Sequence, residues 1–354
     1  MPRTHSLDPI MRSATPLVVE FPFSQLSDTT PTAQFFIRNH FPVPAIDAAT
    51  WKLRVEGAVQ GALSLSLAEL RAMPSVTVGA VIECSGNGRA FMAGNPQSIQ
   101  WELGGVGCAS FTGVPLRDVL ARAGINASAI DVVFEGADHG PEAKLPTAAD
   151  IHFARSVPLA VAMRPDVVLA FEMNGEPLDA AHGAPIRAVV PGWYGVTSVK
   201  WLSRIIVTTR PFTGFFQSAE YTYWDASNGA SPERVPVTTL EVKSQIARPS
   251  IGEELPAGVE YCVSGAAWTS NASIVSVDVS TDDGRTWTPA MLGDEPDQHV
   301  WRLWEHRWTP RERGEHVLLA RATDSSGRVQ PLAHDLNHEN YMVHHAFRIS
   351  VRVV

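Results

Sequence analysis

The sequence predicts an α+β protein with a mixed α/β domain followed by an immunoglobulin-like β-sandwich. Its 354 residues correspond to about two domains of ordinary size. Short strand-like runs alternate with short helical runs from residue 51 to about residue 210, whereas helical periodicity almost disappears beyond residue 244. We therefore expect an extended lead-in over 1–34, a first domain over 35–240 and a second domain over 241–354.

Strand and helix signals alternate through the first domain. WKLRVEGAV predicts a strand, and LSLAELRAM predicts a short helix that starts at Ser64 or Ser66. VTVGAVIEC predicts a strand that ends at Cys84, and VPLRDVLARAG predicts a helix that stops at Gly124. Four further strand candidates are AIDVVFEGAD, VVLAFEMNG, IRAVVPG and SVKWLSRIIVTT. This mixture predicts a sheet domain that carries only short helices.

The second domain is predicted to contain strands alone. About seven alternating runs follow residue 244, including GVEYCVSGAAW, SIVSVDVST, RTWTPAML, VWRLWEHRW, HVLLARATD and AFRISVRVV. The segments DDGR and SSGR supply hairpin-type turns between them. Runs of this length and spacing predict a β-sandwich of immunoglobulin-like size.

Charge and hydropathy exclude two classes of partner. The chain has 28 basic and 37 acidic residues, a formal net charge of −9. Affinity for nucleic acid depends on clustered Lys and Arg, so no nucleic-acid partner is expected. No apolar run approaches the ~18 residues that a membrane-spanning helix needs, so no membrane partner is expected either.

The three cysteines, Cys84, Cys108 and Cys262, are too few and too scattered for a disulfide framework or a zinc site. They fit a reducing compartment, in which one thiol can serve chemistry. The first residues lack the apolar core of a secretory leader. We therefore predict a cytoplasmic protein, with export to the periplasm alongside a partner as the alternative.

The segment ECSGNGRAF contains a candidate reactive thiol. A predicted strand ends at Cys84, and the following turn presents its sulfur at the rim of the sheet. Arg89 lies five residues further on, where its cation can lower the pKa of the thiol or bind an anion beside it. A soft thiolate in this position suits a soft, electron-accepting metal. A small buried cysteine ahead of a tight turn is the alternative interpretation.

Two other segments place polar side chains between apolar flanks. FFIRNHFPVP holds Arg38, Asn39 and His40, and residues 172–202 hold His182, Arg187 and Lys200. Together these groups can bind a large polyanionic cofactor. Each residue taken alone also fits a structural role, as a core or turn histidine or as a salt-bridge partner.

The histidine-rich segment HDLNHENYMVHH near the C-terminus has two possible interpretations. His334 and His338 lie four residues apart, which is a possible spacing for two ligands of one metal ion. A solvated loop ahead of the last strand is the other interpretation, and the sequence favours it.

The motifs RNHFPVP, ECSGNGR, EMNGEPL, HGAPIR and VKWL occur in this order, and with them the chain resembles the sulfite oxidase family of molybdenum enzymes. The resemblance covers about residues 33–354, because WRLWE and DDGRTW are typical of the family's dimerisation domain. It implies a molybdenum ion chelated by one molybdopterin, with Cys84 as an additional sulfur ligand. It further implies oxidation of sulfite to sulfate by a homodimer that is joined through the sandwich.

The same resemblance assigns residues to the cofactor and to the substrate. The pterin and its phosphate are expected to contact Phe36, Ile37, Arg38, Asn39, His40, Asp138, His182, Arg187, Ser198, Val199 and Lys200. The substrate pocket is expected to contain Arg38, Arg89, Trp101 and Tyr221. Two convergent arginines can neutralise sulfite, a small doubly charged oxyanion.

The sequence departs from the animal members of the family in ways that affect function. No b-type haem domain precedes the family core and no CxxCH motif is present, so we expect no haem and an external acceptor such as a c-type cytochrome or a quinone. Gly88 replaces one of two successive arginines, and a further pocket arginine is expected to correspond to Asp297 or Gln298. A less basic pocket leaves a nitrate or sulfoxide reductase-like enzyme, or an inactive cofactor-binding protein, as alternatives.

Overall fold

Sheets account for most of the regular structure. The computed structural model describes residues 8–94, 98–145, 149–226 and 231–354. The α-helices in these ranges are short: α1 (Leu67–Arg71), α2 (Leu116–Ala123), α3 (Leu159–Ala162) and α4 (Phe215–Ser218). Single 3-10 turns occur at Phe23–Gln25, Thr32–Gln34, Arg89–Phe91, Gly195–Thr197 and Leu336–His338. The predicted α+β class is confirmed, and none of the described helices has the length and apolar character needed to cross a bilayer.

Three sheets build the first domain. One contains β1 (Ile10–Ala14), β2 (Leu17–Glu20) and β3 (Ile37–Arg38), in that order. Another contains β6 (Val76–Glu83), β7 (Val106–Pro115), β10 (Val168–Met173), β11 (Glu176–Pro177) and β12 (Arg187–Val189), with the order β11-β10-β7-β6 and β12 paired to β10. The third contains β4 (Lys52–Gly57), β5 (Leu63–Ser66), β8 (Asp131–Pro141), β9 (Asp150–Pro158) and β13 (Leu202–Thr208), with the order β5-β4-β13-β8-β9. Only β4 and β13 run parallel within these sheets.

Local signals account for the ends of the first domain's helices. Ser66 caps α1, and its side chain accepts from the Glu69 amide while the Glu69 carboxylate accepts from the Ser66 amide. The segment just before this cap forms β5 instead of extending the helix. Helix α2 ends at Gly124, whose φ of 69° is easily adopted by a residue without a side chain.

The sequence analysis did not identify β7 and β9. Strand β7 is almost completely buried, so it lacks the alternation of polar and apolar residues that marks a half-exposed strand. The lead-in predicted for 1–34 contains β1 and β2, and β2 pairs with β3. This pairing attaches the N-terminal segment to the residues that begin the RNHFPVP motif.

Two packed sheets form the second domain. One contains β16 (Lys243–Arg248), β18 (Tyr261–Trp268), β21 (Met291–Leu292) and β22 (Arg302–Trp308), with the order β16-β18-β22-β21. The other contains β17 (Glu254–Leu255), β19 (Ile274–Ser280), β20 (Thr288–Pro289), β23 (Gly314–Asp324) and β24 (Ile349–Val353), with the order β17-β24-β23-β19-β20. Strands β14 (Thr222–Asp225) and β15 (Glu233–Pro236) pair with each other ahead of this sandwich. The run RTWTPAML, predicted as one strand, is divided between the two sheets as β20 and β21.

An apolar cluster joins the two domains. Val81 of β6 and Cys108 of β7 pack in one cluster with Ala247, Trp268 and Trp301 of the sandwich. Burial raises the pKa of the Cys108 thiol to about 12, as expected for a core cysteine. Because this cluster lies beside the C-terminal part of β6, the sandwich supports the strand that leads to Cys84.

Replacement of a core leucine tests the packing of the first domain. Leu120 on α2 is fully buried, so Leu120→Ala is expected to lower the free energy of unfolding by about 2–5 kcal/mol. Leu332→Ala is the matched control, because 53% of the Leu332 side chain is exposed and its truncation opens no cavity. Denaturant unfolding monitored by circular dichroism measures both changes, and equal losses would contradict the packing described above.

Candidate functional site

One cavity, open to solvent, brings together residues from most parts of the first domain. Its walls come from the end of β3, the turn after β6, β8, β12 and the loop that follows β12. The predicted site residues that line it are Phe36, Arg38, Asn39, His40, Cys84, Asp138, His182, Arg187, Ser198, Val199, Lys200 and Tyr221. Residues separated by more than 180 positions in the chain therefore meet in one place.

Cys84 is held by its backbone at the wall of this cavity. Its amide donates to the Gly105 carbonyl over 2.8 Å, and its carbonyl accepts from the Asn87 amide over 2.8 Å. The thiol is half-buried and forms no disulfide. The neighbouring Ser85 hydroxyl also lines the cavity, where it is buried and has no hydrogen-bond partner within the described residues.

Several other buried polar atoms around the cavity also lack partners within the described residues. They are Asn39 Nδ2, Asp138 Oδ1, His182 Nε2 and Arg187 Nε. An unsatisfied buried polar group costs about 1–3 kcal/mol, so such groups are rare unless a ligand or water completes them. Their presence around one cavity indicates that it binds a large polar ligand.

Two basic side chains, the buried Arg187 and the half-buried Lys200, contribute positive charge to this cavity. Lys200 Nζ donates to Asn39 Oδ1 and to the Ala181 carbonyl, and Arg187 donates to the His182 and Ser198 carbonyls over 3.2 and 3.1 Å. All four acceptors are uncharged. Burial lowers the pKa of Lys200 well below its usual value and that of Arg187 to about 10. A phosphate or another anion would relieve this cost by supplying the missing negative charge.

Asp138 and His182 present further hydrogen-bonding groups to the same region. Burial raises the pKa of the Asp138 carboxyl to about 7, although the nearby Lys200 cation acts in the opposite direction. His182 Nδ1 donates to the Asp179 carboxylate over 2.9 Å, which fixes the ring and leaves Nε2 available to a ligand. A carboxyl group with this pKa can donate as well as accept near neutral pH.

Arg38, His40 and Tyr221 form a polar group at another part of the cavity. Arg38 Nη2 lies 3.3 Å from the Tyr221 hydroxyl and 3.4 Å from His40 Nδ1. His40 Nε2 lies 3.4 Å from Glu142, and burial together with the Arg38 cation lowers the pKa of His40 to about 4. His40 is therefore neutral at pH 7. Tyr221 adopts a positive φ of 46°, a conformation that is rare for a tyrosine.

Three of the predicted site residues do not line this cavity. Ile37 lies within β3, and Trp101 is fully buried with its ring packed edge-on against Phe36 at 5.8 Å between centroids. Arg89 is buried and donates to the carbonyls of Asn340, over 2.7 and 3.0 Å, and Ile99, over 2.8 Å. Arg89 therefore uses its guanidinium to join the turn after β6 to the sandwich.

The sequence analysis missed Tyr341 and Arg155. Tyr341 comes from the second domain, yet its ring packs against Tyr221 at 5.2 Å and lies under the Arg89 guanidinium at 5.7 Å. Its hydroxyl donates to Glu220 over 2.6 Å. Arg155 is fully buried and donates to the carbonyls of Phe216 and Val237, which lie on either side of Tyr221 in the chain. No local motif marks either residue.

The expected correspondence of Asp297 and Gln298 to a pocket arginine does not agree with the structure. Both residues line a separate cavity of the sandwich, beside Trp268 and Arg302. The part of the sandwich that reaches Arg89 and Tyr221 is instead the segment around Asn340 and Tyr341.

The histidines of this C-terminal segment do not form a metal centre. His334 Nε2 donates to the Glu339 carbonyl over 2.9 Å, and the ring centroids of His334 and His338 lie 6.1 Å apart. Within the described ranges, no group of three or more His, Cys, Asp or Glu side chains is placed to hold a metal ion. The segment is a loop, as the favoured interpretation predicts, but it is not solvated throughout, because Met342, Val343 and His344 are buried.

Comparison with known proteins identifies both domains. Residues 40–216 match the oxidoreductase molybdopterin binding domain, and residues 234–354 match the Mo-co oxidoreductase dimerisation domain. The chain is 37% identical to sulfite oxidase of Gallus gallus over 91% of its own length and 72% of that protein. The chain belongs to the sulfite oxidase family.

Other relatives show how far this family likeness extends. The mitochondrial sulfite oxidase of Rattus norvegicus is 36% identical over 91% of the chain, but the chain spans only 61% of that protein. The crystal structure of the sulfane dehydrogenase SoxCD from Paracoccus pantotrophus matches with a TM-score of 0.85 and 27% identity, over 98% of this chain and 88% of that one. The fold of both domains is therefore shared with that structure.

The cavity suits the cofactor that this family binds. Molybdopterin carries a phosphate and a ring system rich in hydrogen-bonding groups. The described residues offer cations for the phosphate and unpartnered polar atoms for the ring, and they place a thiol at the same wall. The residues present in the chain thus fit a molybdopterin-type ligand.

The ionisation of Asp138 predicts a pH-dependent stability of the cofactor-free protein. Because folding raises the pKa of this carboxyl from 3.8 to about 7, its ionisation in the folded state costs free energy. The contribution of this carboxyl to the free energy of unfolding is most favourable below pH ~4 and is lost as the pH rises to about 7. Asp138→Asn should therefore be increasingly more stable than the wild type across this window, by up to about 4 kcal/mol.

Unfolding by denaturant at a series of pH values measures this difference. Asp294→Asn, at an exposed carboxylate, provides the control and should show no such trend. A constant difference between Asp138→Asn and the wild type from pH 4 to pH 8 would contradict the assignment.

Proposed function

We propose that the protein is a molybdenum-dependent oxidoreductase that converts sulfite to sulfate and passes the electrons to an external acceptor. The observation that supports this most directly is the position of Cys84. Its thiol shares one cavity with two cations, with a set of unpartnered polar atoms and with the Arg38–Tyr221 pair. When bound, a molybdenum ion with one molybdopterin supplies the two-electron oxygen-transfer chemistry.

The residues of the cavity divide into two groups in this proposal. Cys84 provides the protein's sulfur ligand to the metal. The pterin and its phosphate contact the main chain and side chains of Phe36, Asn39, His40, Asp138, His182, Arg187, Ser198, Val199 and Lys200. The positive charge of Arg187 and Lys200 offsets the phosphate, and His182 and Asp138 bond the polar ring.

Arg38 and Tyr221 bind and orient the substrate. The Arg38 guanidinium neutralises part of the charge of sulfite, and the Tyr221 hydroxyl orders the anion or the water that takes part in the reaction. Oxidation of sulfite by water releases two protons and two electrons for each sulfate. Neutral His40 lies between Tyr221 and Glu142, and its Nδ1 can accept a hydrogen bond from the Tyr221 hydroxyl and so orient it. Arg89 does not contact the substrate in this proposal, and it holds the turn after β6 against the sandwich. The Trp101 ring packs against Phe36, which lines the cavity.

In this proposal the electrons leave to a separate acceptor protein, and the protein works as a homodimer. The match to a dimerisation domain over residues 234–354 supports a dimer formed through the sandwich. A basic c-type cytochrome is the acceptor that best suits a chain with a net charge of −9, because opposite charges accelerate encounter.

One observation favours a second candidate substrate. Arg89 directs its guanidinium to backbone carbonyls, so Arg38 is the cation that lies nearest to Tyr221 on the cavity wall. A pocket with less positive charge favours a less charged sulfur compound, and the structure of similar fold belongs to a sulfane dehydrogenase. Turnover assays with sulfite and with sulfane sulfur, using cytochrome c or ferricyanide, distinguish the two. Failure of both by protein with full molybdenum and pterin content would contradict the proposed oxidation.

Cys84→Ser is expected to lower kcat for sulfite by about two orders of magnitude or more, because a hydroxyl is a poor substitute for a thiolate metal ligand. Cys262→Ser, at an exposed cysteine, is the matched control and should keep wild-type activity. Steady-state kinetics and molybdenum analysis measure both variants. Full activity of Cys84→Ser would exclude Cys84 as a ligand.

Arg38→Gln is expected to raise KM for sulfite about tenfold to a hundredfold, because it removes a charge-assisted hydrogen bond to the anion. Arg54→Gln, at an exposed position of β4, controls for the change in net charge. Steady-state kinetics at constant ionic strength separates KM from kcat. An unchanged KM would show that Arg38 does not bind the substrate.

A further inference from the structure

A fully buried ion pair lies directly behind the turn that carries Cys84. Lys243 at the start of β16 donates to Glu83 at the end of β6, with 2.7 Å between Nζ and Oε1. Both side chains are almost completely inaccessible to solvent. Lys243 also donates to the carbonyls of Asn87 and Val343, over 3.1 and 2.7 Å, so each of its N–H groups has an acceptor.

The groups that bind the Glu83 carboxylate come mainly from the sandwich. Its Oε1 accepts from Lys243 and, over 3.1 Å, from Asn87 Nδ2. Its Oε2 accepts from the indole nitrogen of Trp268 over 2.9 Å. The residue next to Cys84 is therefore fixed by two side chains of the other domain.

Asn87 connects this ion pair to the backbone of Cys84. Besides its bond to Glu83, Asn87 Nδ2 donates to Gln245 of β16 over 3.0 Å, and Asn87 Oδ1 accepts from the Gly105 amide over 3.0 Å. The carbonyl of Gly105 accepts from the Cys84 amide, and the Asn87 amide donates to the Cys84 carbonyl. The amide and the carbonyl of Cys84 are therefore both bonded to residues of this network, Gly105 and Asn87 respectively.

An apolar contact reinforces the network from the same side. Gly88, in the turn, has a φ of 95°, and a Cβ atom there would overlap the ring of Phe347 from the sandwich. The Phe347 ring also lies 5.0 Å from the Lys243 ammonium. The sandwich therefore packs against the turn and leaves it little room to move.

We propose that Lys243, Glu83 and Asn87 act as positioning residues, through which the second domain sets the position of the Cys84 sulfur. Their side chains contact each other and the backbone of the turn, and none of them lines the cavity. The role of this network at the metal depends on the proposed function. Its effect on the turn, however, belongs to the protein itself and exists without the cofactor.

The double variant Glu83→Gln/Lys243→Met tests this role. It removes both charges together, so no uncompensated charge remains buried. The control is Glu260→Gln/Arg307→Met, which removes an exposed ion pair of the same sandwich. Hydrogen exchange of the full-length, cofactor-free protein is followed in the peptide 83–91, with 131–137 of β8 as an internal reference. In the network variant, amide exchange should be about tenfold faster than in the wild type in peptide 83–91 and unchanged in the reference peptide. In the control variant, exchange should match the wild type in both peptides.

A second measurement follows the effect on the loaded enzyme. The sulfur-to-metal charge-transfer absorption of the oxidised holoenzyme should shift in the network variant and stay unchanged in the control. If the ion pair only stabilised the fold, exchange would increase in 131–137 as well, in step with the loss of unfolding temperature. That result would overturn the proposal, as would wild-type exchange in 83–91 together with an unshifted absorption band.

A milder substitution keeps the test decisive if the double variant does not fold. Gln245→Met removes one of the two acceptors of Asn87 Nδ2, together with the Gln245 donor to the Leu103 carbonyl, and leaves the ion pair in place. It should speed exchange in 83–91 by about threefold, and unchanged exchange there would overturn the proposal. Absence of sulfite oxidation by the wild type, with these exchange differences intact, would contradict the proposed function and leave the positioning role supported.

Discussion

The buried Lys243–Glu83 ion pair is the interaction on which the geometry of the cysteine turn depends. Two charges removed from water are tolerated only when their remaining hydrogen-bonding capacity is also satisfied, and here carbonyls, an amide and an indole complete it. Loss of one partner from such a pair costs about 3–5 kcal/mol. Because the partners come from both domains, the ion pair holds the two domains in one relative arrangement at this point.

In the cavity beside this ion pair, by contrast, the hydrogen-bonding capacity of the polar groups is not fully satisfied. Arg187 is buried and Lys200 is half-buried, yet their hydrogen bonds end on uncharged oxygens, and neighbouring polar atoms lack partners within the described residues. The protein alone therefore leaves this region electrostatically incomplete. A bound anion with many polar groups would remove most of the cost, so part of the free energy of cofactor binding is already stored in the folded chain.

Local sequence signals predicted the elements that depend on local interactions. The strand that leads to Cys84, the helix start at Ser64 or Ser66 (Ser66 is the cap) and the stop at Gly124 all follow from neighbouring residues. The RNHFPVP and HGAPIR motifs likewise located many residues of the cavity wall. Burial on both faces concealed β7, and no local pattern could show that Asn340 would accept from Arg89, 251 positions away. The missed contacts of Arg89 and Tyr341 require the second domain to be folded against the first, whereas those of Arg155 join residues 61 and 82 positions apart within the first domain.

Tyr341 gives the sandwich a second role besides the one its family description names. Its ring forms part of the surroundings of Tyr221 and Arg89, although it lies in the region that matches the Mo-co oxidoreductase dimerisation domain. The surroundings of Tyr221 therefore change together with this domain whenever it is exchanged as a unit. A chimaera that took its sandwich from another family member would import a foreign neighbour for Tyr221.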